Sequence, residues 1–393
     1  MRIAVHHNLP SGGAKRALFD WISRLVKDHI VDLYRLESSP EDFLDVSALA
    51  HKVVSMRVNL PVSTDSYSIV GKAILYRRLR QVSEEMAHTI NTSGYDLAFV
   101  HQCRFVQCPM LLRYLTVPSL FFCQEPNRRF YEPPVEPLRT RSEKLRQTLG
   151  QVSNAFLKRV DAMNARSAGM ILANSQYSRE AIYRAYGVWP RTNYLGVDVD
   201  RFHPQPVPRD GFVLSVGALY PKKSHSFLIA AVGRLPASIR PELVIAFDRG
   251  DAESERRLRV QAADQGVRLR VTTVAGEEMA VLYSRARITM FAAVLEPLGL
   301  VPLESMACGT PVVGVREAGI RETVVDGLVG LLTERDPDDF ASAVERLLTD
   351  EPLWQRLSRN GPDYVRARWS IEQSTANLLK HMQLLVETQR TVS

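Results

Sequence analysis

The sequence predicts an α/β protein made of two consecutive units, each a parallel sheet with helices on both faces. Three observations carry the prediction. Short apolar runs alternate with longer stretches of helical periodicity along all 393 residues. The same alternation occurs in both halves. Between them, Pro204, Pro206 and Pro208 stiffen an extended connector.

In chain order, Ile3–His7 reads as a strand, Ala14–Lys27 as a helix and Ile30–Leu36 as a second strand. Further strands are expected at Leu97–Val100, Ser119–Cys123 and Met170–Ala173. The second half offers Phe212–Val216, Leu243–Phe247, Leu269–Val274, Ile288–Ala292 and Pro311–Val315. Near the end, Ser370-Ile371-Glu372-Gln373 has the form of a capping box before an amphipathic helix reaching about Glu387. The expected domains are residues 1–200 with 371–393, and residues 207–370. Ligands of such sheets sit beyond the carboxyl ends of the strands. Two facing Rossmann-like domains with a cleft between them are therefore expected, the cleft being the site.

Hydrophobic residues make up 45% of the chain, and no apolar run reaches membrane-spanning length. The first residues, Met1-Arg2-Ile3-Ala4-Val5-His6-His7, do not read as a signal peptide. Cys103, Cys108, Cys123 and Cys308 form no Cys-x-x-Cys pair, so a reduced, cytoplasmic protein is expected. Residues 1–200 hold 26 Lys and Arg against 19 Asp and Glu, whereas residues 201–393 hold 24 of each. This basic half is either ordinary solvated surface or a face for an anionic partner, with a membrane surface favoured. Ile69–Arg80, with Arg139, Arg141, Lys144, Arg146, Lys158 and Arg159, would supply that face. Aromatic interleaving is too sparse for nucleic acid.

The most informative segment runs from Glu296 to Val313. Ile288–Leu295 is an apolar run read as a buried strand, which Pro297 and Gly299 interrupt. A short helix from Leu298 or Gly299 to Cys308 follows, ended by Gly309 and Pro311. Its first turn offers backbone N–H groups to an anion. Glu296 and Glu304 lie eight residues apart, roughly 12 Å if helical. Carboxylates at that spacing around an anion site suit a sugar, diphosphate and ribose in series. Pro10-Ser11-Gly12-Gly13 is a strand-to-helix turn whose glycines admit close backbone approach, or a plain βα turn. No G-x-G-x-x-G or Walker loop is present, which disfavours dinucleotide oxidoreductases and P-loop enzymes. Gly217 ends another strand before Lys222 and Lys223. His101 and Gln124 follow apolar runs and are expected at strand ends.

The segment from Glu296 to Val313 resembles the signature of the family-4 retaining glycosyltransferases, which have the GT-B fold. The family reads approximately E-P-F-G-L-x-x-x-E-A-M-A-C-G-x-P-V-V, with Leu298 and Ser305 as departures here. The resemblance implies a retaining transfer of a sugar from a nucleoside diphosphate to an acceptor hydroxyl, with no metal or other cofactor. It implies donor-binding roles for Gly12, Gly13, Gly217, Lys223, Glu277, Leu298, Gly299, Leu300 and Glu304. Glu296 would hold sugar hydroxyls, with Gln124 and His101 as further candidates at the reacting sugar.

Ala218 stands where the family has a second cation, Ser224 where it has glycine, and Gln124 where it often has histidine. Gly319-Ile320-Arg321-Glu322 matches a Gly-x-x-Glu landmark of the sugar and nucleotide pocket. Val274-Ala275-Gly276-Glu277-Glu278 lies where the family holds the base. Asp161, Ala173-Asn174-Ser175 and Tyr194–Asp198 match further landmarks. Asp198-Val199-Asp200 is read as structural rather than metal-binding, and Asp336-Pro337-Asp338 as a helix start. The expected product is a glycan or glycolipid, made at the cytoplasmic face on an acceptor that includes lipid-linked types. A catalytically silent nucleotide-sugar binder and a sugar-nucleotide epimerase are the alternatives.

Overall fold

The computed structural model describes residues 1–39, 44–58, 69–132, 141–274 and 276–391, with side chains at 69–70, 72, 129 and 141–153 outside that description. The chain forms two compact units, Met1–Tyr194 with Ser374–Ser393, and Leu195–Gln373.

The first unit contains β1 (Arg2–Asn8), α1 (Gly13–Leu25), β2 (Ile30–Leu36), β3 (Lys52–Met56), α2 (Ile69–Thr92), β4 (Leu97–Cys103) and β5 (Ser119–Phe122). It continues through α3 (Arg128–Tyr131), α4 (Arg141–Arg166), β6 (Met170–Ala173), α5 (Gln176–Tyr186) and β7 (Arg191–Thr192). Its strands pair in parallel in the order β3-β2-β1-β4-β5-β6-β7. Helix α1 shows why this sequence folds so. Ala17, Leu18, Trp21, Ile22 and Leu25 recur on one stripe and are all buried. Each large apolar side chain so buried contributes about 1.5–3 kcal/mol. Helix α5 starts where the Ser175 hydroxyl accepts from the Ser178 N–H and ends at Gly187, whose φ of 70° suits only a residue without Cβ strain.

The second unit contains β8 (Val213–Val216), α6 (His225–Arg234), β9 (Leu243–Ala246), α7 (Ala252–Asp264), β10 (Leu269–Thr272), α8 (Met279–Arg285) and β11 (Ile288–Phe291). After these come α9 (Leu300–Ala307), β12 (Val312–Val315), α10 (Ile320–Thr323), β13 (Gly330–Thr333), α11 (Pro337–Thr349) and α12 (Glu351–Arg368), while α13 (Ile371–Arg390) belongs to the first unit from Ser374 onward. The sheet is again parallel, in the order β10-β9-β8-β11-β12-β13. Strands β9, β11 and β12 are buried along their whole length, which explains their unbroken apolar runs. Asp336 caps α11 with Pro337 at its first position, as the sequence implied.

The α/β, two-unit class holds, with local corrections. Strand β3 is mostly exposed, β7 has two residues and β13 begins at a glycine, so none carries an apolar run strong enough to be read. Strand β11 stops at Phe291, short of Leu295, whose φ of 48° is incompatible with extended chain. Helix α9 starts at Leu300 because Gly299, at φ 93°, is its cap. The capping box is half made. The Gln373 N–H donates to Ser370 Oγ at 3.3 Å, but the Gln373 side chain donates to the Ala367 carbonyl instead. The proline stretch packs within the second unit: Gln205 N–H donates to Ser284 Oγ, and Arg209 to Ala286 O, Gly309 O and Thr310 Oγ1. Arg77 and Arg78 are exposed on α2. Arg139 and the side chains of Lys72, Arg141, Lys144 and Arg146 lie outside the described residues. Among the described residues no helix is long and apolar enough to cross a membrane.

Candidate functional site

In the second unit the polar side chains gather at the carboxyl ends of β8, β11, β12 and β13. Beyond β8 the chain turns at Gly217, with φ 151°, and enters a 3₁₀ turn over Pro221–Lys223. The Lys223 stem lies across Gly217; a Cβ there would meet its Cγ and Cδ at 3.2 Å. Lys223 Nζ then donates to Glu296 Oε2 at 2.9 Å, both side chains being about a quarter exposed. His225 braces the turn from below. Its Nε2 is 3.2 Å from the carbonyls of Gly217 and Ala218, which can only accept, so Nε2 carries the proton and Nδ1 accepts from Ser215 Oγ. Burial pulls its pKa down to about 4, so it is neutral.

Glu296 is fixed through its backbone. Its carbonyl accepts from the Gly319 N–H at 3.0 Å. A Cβ on Gly319 would lie 2.0 Å from Pro297 O, so only glycine permits this approach. Leu298 is buried, and its carbonyl accepts from Thr323 Oγ1 at 3.4 Å. Gly299 and Leu300 follow as the cap and first residue of α9, whose first turn has no side-chain cap. On α9, Glu304 is buried and accepts the Tyr283 hydroxyl at 2.9 Å. Burial also pushes the nearby Cys308 thiol up, which keeps it protonated.

Two charged residues in this cluster escape a reading of the sequence. Arg335, just past β13, binds Glu317, just past β12, through Nε and Nη2 at 2.5 and 2.7 Å. Its Nη1 reaches the Ala292 carbonyl at 3.1 Å and Ser224 Oγ at 3.4 Å. The available signal was the apolar pair Leu331-Leu332 followed abruptly by Glu334 and Arg335.

Glu277 stands apart, exposed in a 3₁₀ turn over Gly276–Glu278 beyond the edge strand β10. Arg201 donates to the Gly276 carbonyl beside it, and Ala275 lies outside the described residues. Asp198 Oδ1 accepts from the Asp200 and Arg201 N–H groups, which makes Asp198-Val199-Asp200 a turn. Among the described residues no group of three or more His, Cys, Asp or Glu is placed to hold a metal.

In the first unit, Gly12 caps α1 at φ 136°, and its carbonyl accepts from the Lys15 and Arg16 N–H groups. Gly12 and Gly13 follow β1, and Gln124 follows β5, two places along the sheet with β4 between them. Gln124 is half-buried, with its Nε2 enclosed and unbonded. His101 is not at a strand end: β4 continues to Cys103. Its ring packs against Phe99 at 4.5 Å, Phe122 at 5.6 Å and Trp21 at 6.2 Å, and burial pulls its pKa down to about 3. Asp161 sits in the same unit, accepting the Cys108 N–H at 3.1 Å, and burial pushes its pKa up to about 7.

Residues 197–364 match the model of the family described as glycosyl transferases group 1. The chain is 35% identical to a D-inositol 3-phosphate glycosyltransferase of Stackebrandtia nassauensis over 198 residues, 44% of each chain. It is 30% identical to a GDP-mannose-dependent alpha-(1-6)-phosphatidylinositol monomannoside mannosyltransferase of Mycolicibacterium smegmatis over 242 residues, covering 56% of this chain and 62% of that one. The chain thus spans about half the length of the curated relatives it matches. Among solved structures, sucrose-phosphate synthase from Thermosynechococcus elongatus superposes with a TM-score of 0.76 at 20% identity, over 98% of this chain and 99% of that one. Anabaena HepE, solved with UDP and glucose, gives 0.71 at 18% identity over the same shares. The fold is of the GT-B class.

Proposed function

We propose that the protein, whose residues 197–364 match the model of the glycosyl transferases group 1 family, moves a sugar from a nucleoside-diphosphate donor to an acceptor hydroxyl, with retention at the anomeric carbon. One observation carries the reading: the Lys223–Glu296 pair, 2.9 Å apart, with the Lys223 stem laid across Gly217. Breaking the anomeric C–O bond leaves negative charge on the departing diphosphate and an oxocarbenium-like sugar. The Lys223 ammonium and the first-turn N–H groups of α9 supply positive potential for that diphosphate. Glu296 accepts sugar hydroxyls and orients the donor. Its charge is matched by Lys223, which suits orientation better than covalent attack. Glu304 accepts ribose hydroxyls, while Gly217, Leu298, Gly299 and Leu300 shape the wall around the nucleotide sugar. We keep Glu277 as a candidate base contact, and Gly12, Gly13 and Gln124 as candidate contacts of the first unit. His101 we assign to packing.

Relatives named for inositol 3-phosphate and phosphatidylinositol monomannoside support an acceptor in glycan or glycolipid synthesis. Exposed Arg77 and Arg78 on α2 support contact with an anionic bilayer, tested by co-sedimentation with anionic against neutral vesicles. The donor is tested by thermal shift with UDP, GDP, UDP-glucose and GDP-mannose, since a ligand of the folded state raises Tm by mass action. No shift with any of them would remove the reading. Product analysis with donor alone and with acceptor separates transfer from epimerisation and from silent binding.

A further inference from the structure

We propose that Arg335 is a positioning residue for the donor site, a clamp that holds three strained loops in register; the donor part of this rests on the function proposed above. The backbone makes the case. Among the described residues only four non-glycine residues have positive φ: Leu44, Ser224, Leu295 and Ala318. Three of them lie in the second unit, each next to a residue of the Lys223–Glu296 cluster or its support. Ser224 (φ 55°) follows Lys223, Leu295 (φ 48°) precedes Glu296, and Ala318 (φ 46°) follows Glu317. A left-handed L-residue is strained and persists only where its surroundings over-determine it.

Arg335 contacts all three loops. Its fork grips Glu317 with two bonds, beside Ala318. Its Nη1 donates to the Ala292 carbonyl at 3.1 Å, at the root of the segment leading to Leu295. The same nitrogen meets the hydroxyl of Ser224 itself at 3.4 Å. A backbone bond from the Val294 N–H to the Lys222 carbonyl, 2.8 Å, ties the Leu295 and Ser224 loops to each other. A guanidinium can hold both oxygens of a carboxylate through parallel N–H bonds while a third nitrogen reaches a carbonyl; an ammonium, with its donors on one nitrogen, cannot match that fork. The clamp also accounts for Ser224. A glycine would adopt φ 55° without strain. Serine adopts it here with its hydroxyl directed at a guanidinium.

The test uses the full-length protein with four changes: Arg335→Gln, Arg335→Lys, Glu317→Gln and Ser224→Gly. Amide exchange is read over residues 218–224, 292–299 and 316–322, and UDP and GDP affinity and donor KM against kcat are measured alongside. Arg335→Gln and Glu317→Gln should each speed exchange in all three segments and weaken nucleotide binding by about tenfold, the scale of one charge-assisted bond. Arg335→Lys should not restore it. The defect should appear mainly in donor KM, and Ser224→Gly should relieve part of the Arg335→Gln defect, because that loop then needs less support. Unchanged exchange in Arg335→Gln overturns the clamp. So does an affinity loss from Arg335→Gln that is equal with and without the Ser224→Gly change. If the wild type binds neither nucleotide, the donor-site reading fails separately, and exchange alone decides whether the clamp exists.

Discussion

The two units share a parallel sheet wound the same way, yet they place their ionisable side chains in opposite fashion. In the first unit His6, His7 and His101 are sealed among aromatic and aliphatic side chains, and burial drives all three toward the neutral form. In the second, Lys223, Glu296, Glu317 and Arg335 stay paired and partly exposed, and the first three each adjoin a residue in the left-handed conformation. Burying a neutral ring next to Trp21 and Phe99 adds to packing. Keeping a partly exposed ion pair beside strained backbone adds little to stability. On the proposed function, the difference separates residues kept for a ligand from residues kept for folding.

The sharpest way to break this contrast is Gly319→Ala. Its Cβ would fall 2.0 Å from Pro297 O, so the Glu296 loop must move. We expect a loss of roughly 3 kcal/mol or more, above the usual overpacking cost, read as a fall in urea midpoint. A near-wild-type midpoint would mean that the two backbones are not so close. Next is Glu296→Gln. It should lower transfer by about a hundredfold or more, with Tm little changed, since the lost contact is a partly exposed pair. Wild-type-like rates would end the assignment of Glu296.

The third prediction concerns the first unit and pH. Asp161 has its folded-state pKa raised to about 7 from an ordinary 3.8, so the folded form holds a proton that the unfolded form releases. Its stabilising contribution is therefore complete below about pH 4, falls as pH rises from there, and is gone once the folded carboxyl ionises near 7. Asp161→Asn keeps an oxygen for the Cys108 N–H and should gain on wild type between pH 4 and pH 8, by about 4 kcal/mol. An equal change at both pH values would contradict the buried-acid reading.

The histidines act with the opposite sign. His6, His101 and His225, lowered to about 4, 3 and 4, leave stability intact above pH 6.5 and reduce it as pH falls toward 4. The smallest effect is expected from Ser224→Gly, a gain of about 1 kcal/mol from relieved strain, read as a higher Tm. A loss would mean that the serine hydroxyl contributes more than its backbone costs.

Much of this was legible in the sequence, for identifiable reasons. The class of fold follows from apolar runs such as Leu243–Ala246, buried on both faces and so unbroken. Glu296 and Lys223 stand out by their offsets from glycine and proline, and the structure puts their charged atoms 2.9 Å apart. Arg335 and Glu317 were not legible. Arg335 meets its partners Ser224 and Glu317 from 111 and 18 residues away in sequence, and the strand that delivers it is four residues long and begins with glycine. His101 misled because its strand extends three residues beyond the apolar run that announced it, which turned a strand end into a core position.

The contact between Gly319 and Pro297 also bears on how this protein can change over time. A residue larger than glycine at 319 is admissible only after residues 297–298 have shifted, and that shift has no benefit while 319 is glycine. The clash is with backbone atoms, present whatever side chain stands at 297, so the constraint falls on 319 alone. A mutational scan should find 319 intolerant of every residue but glycine, with no matching limit on 297 from this contact.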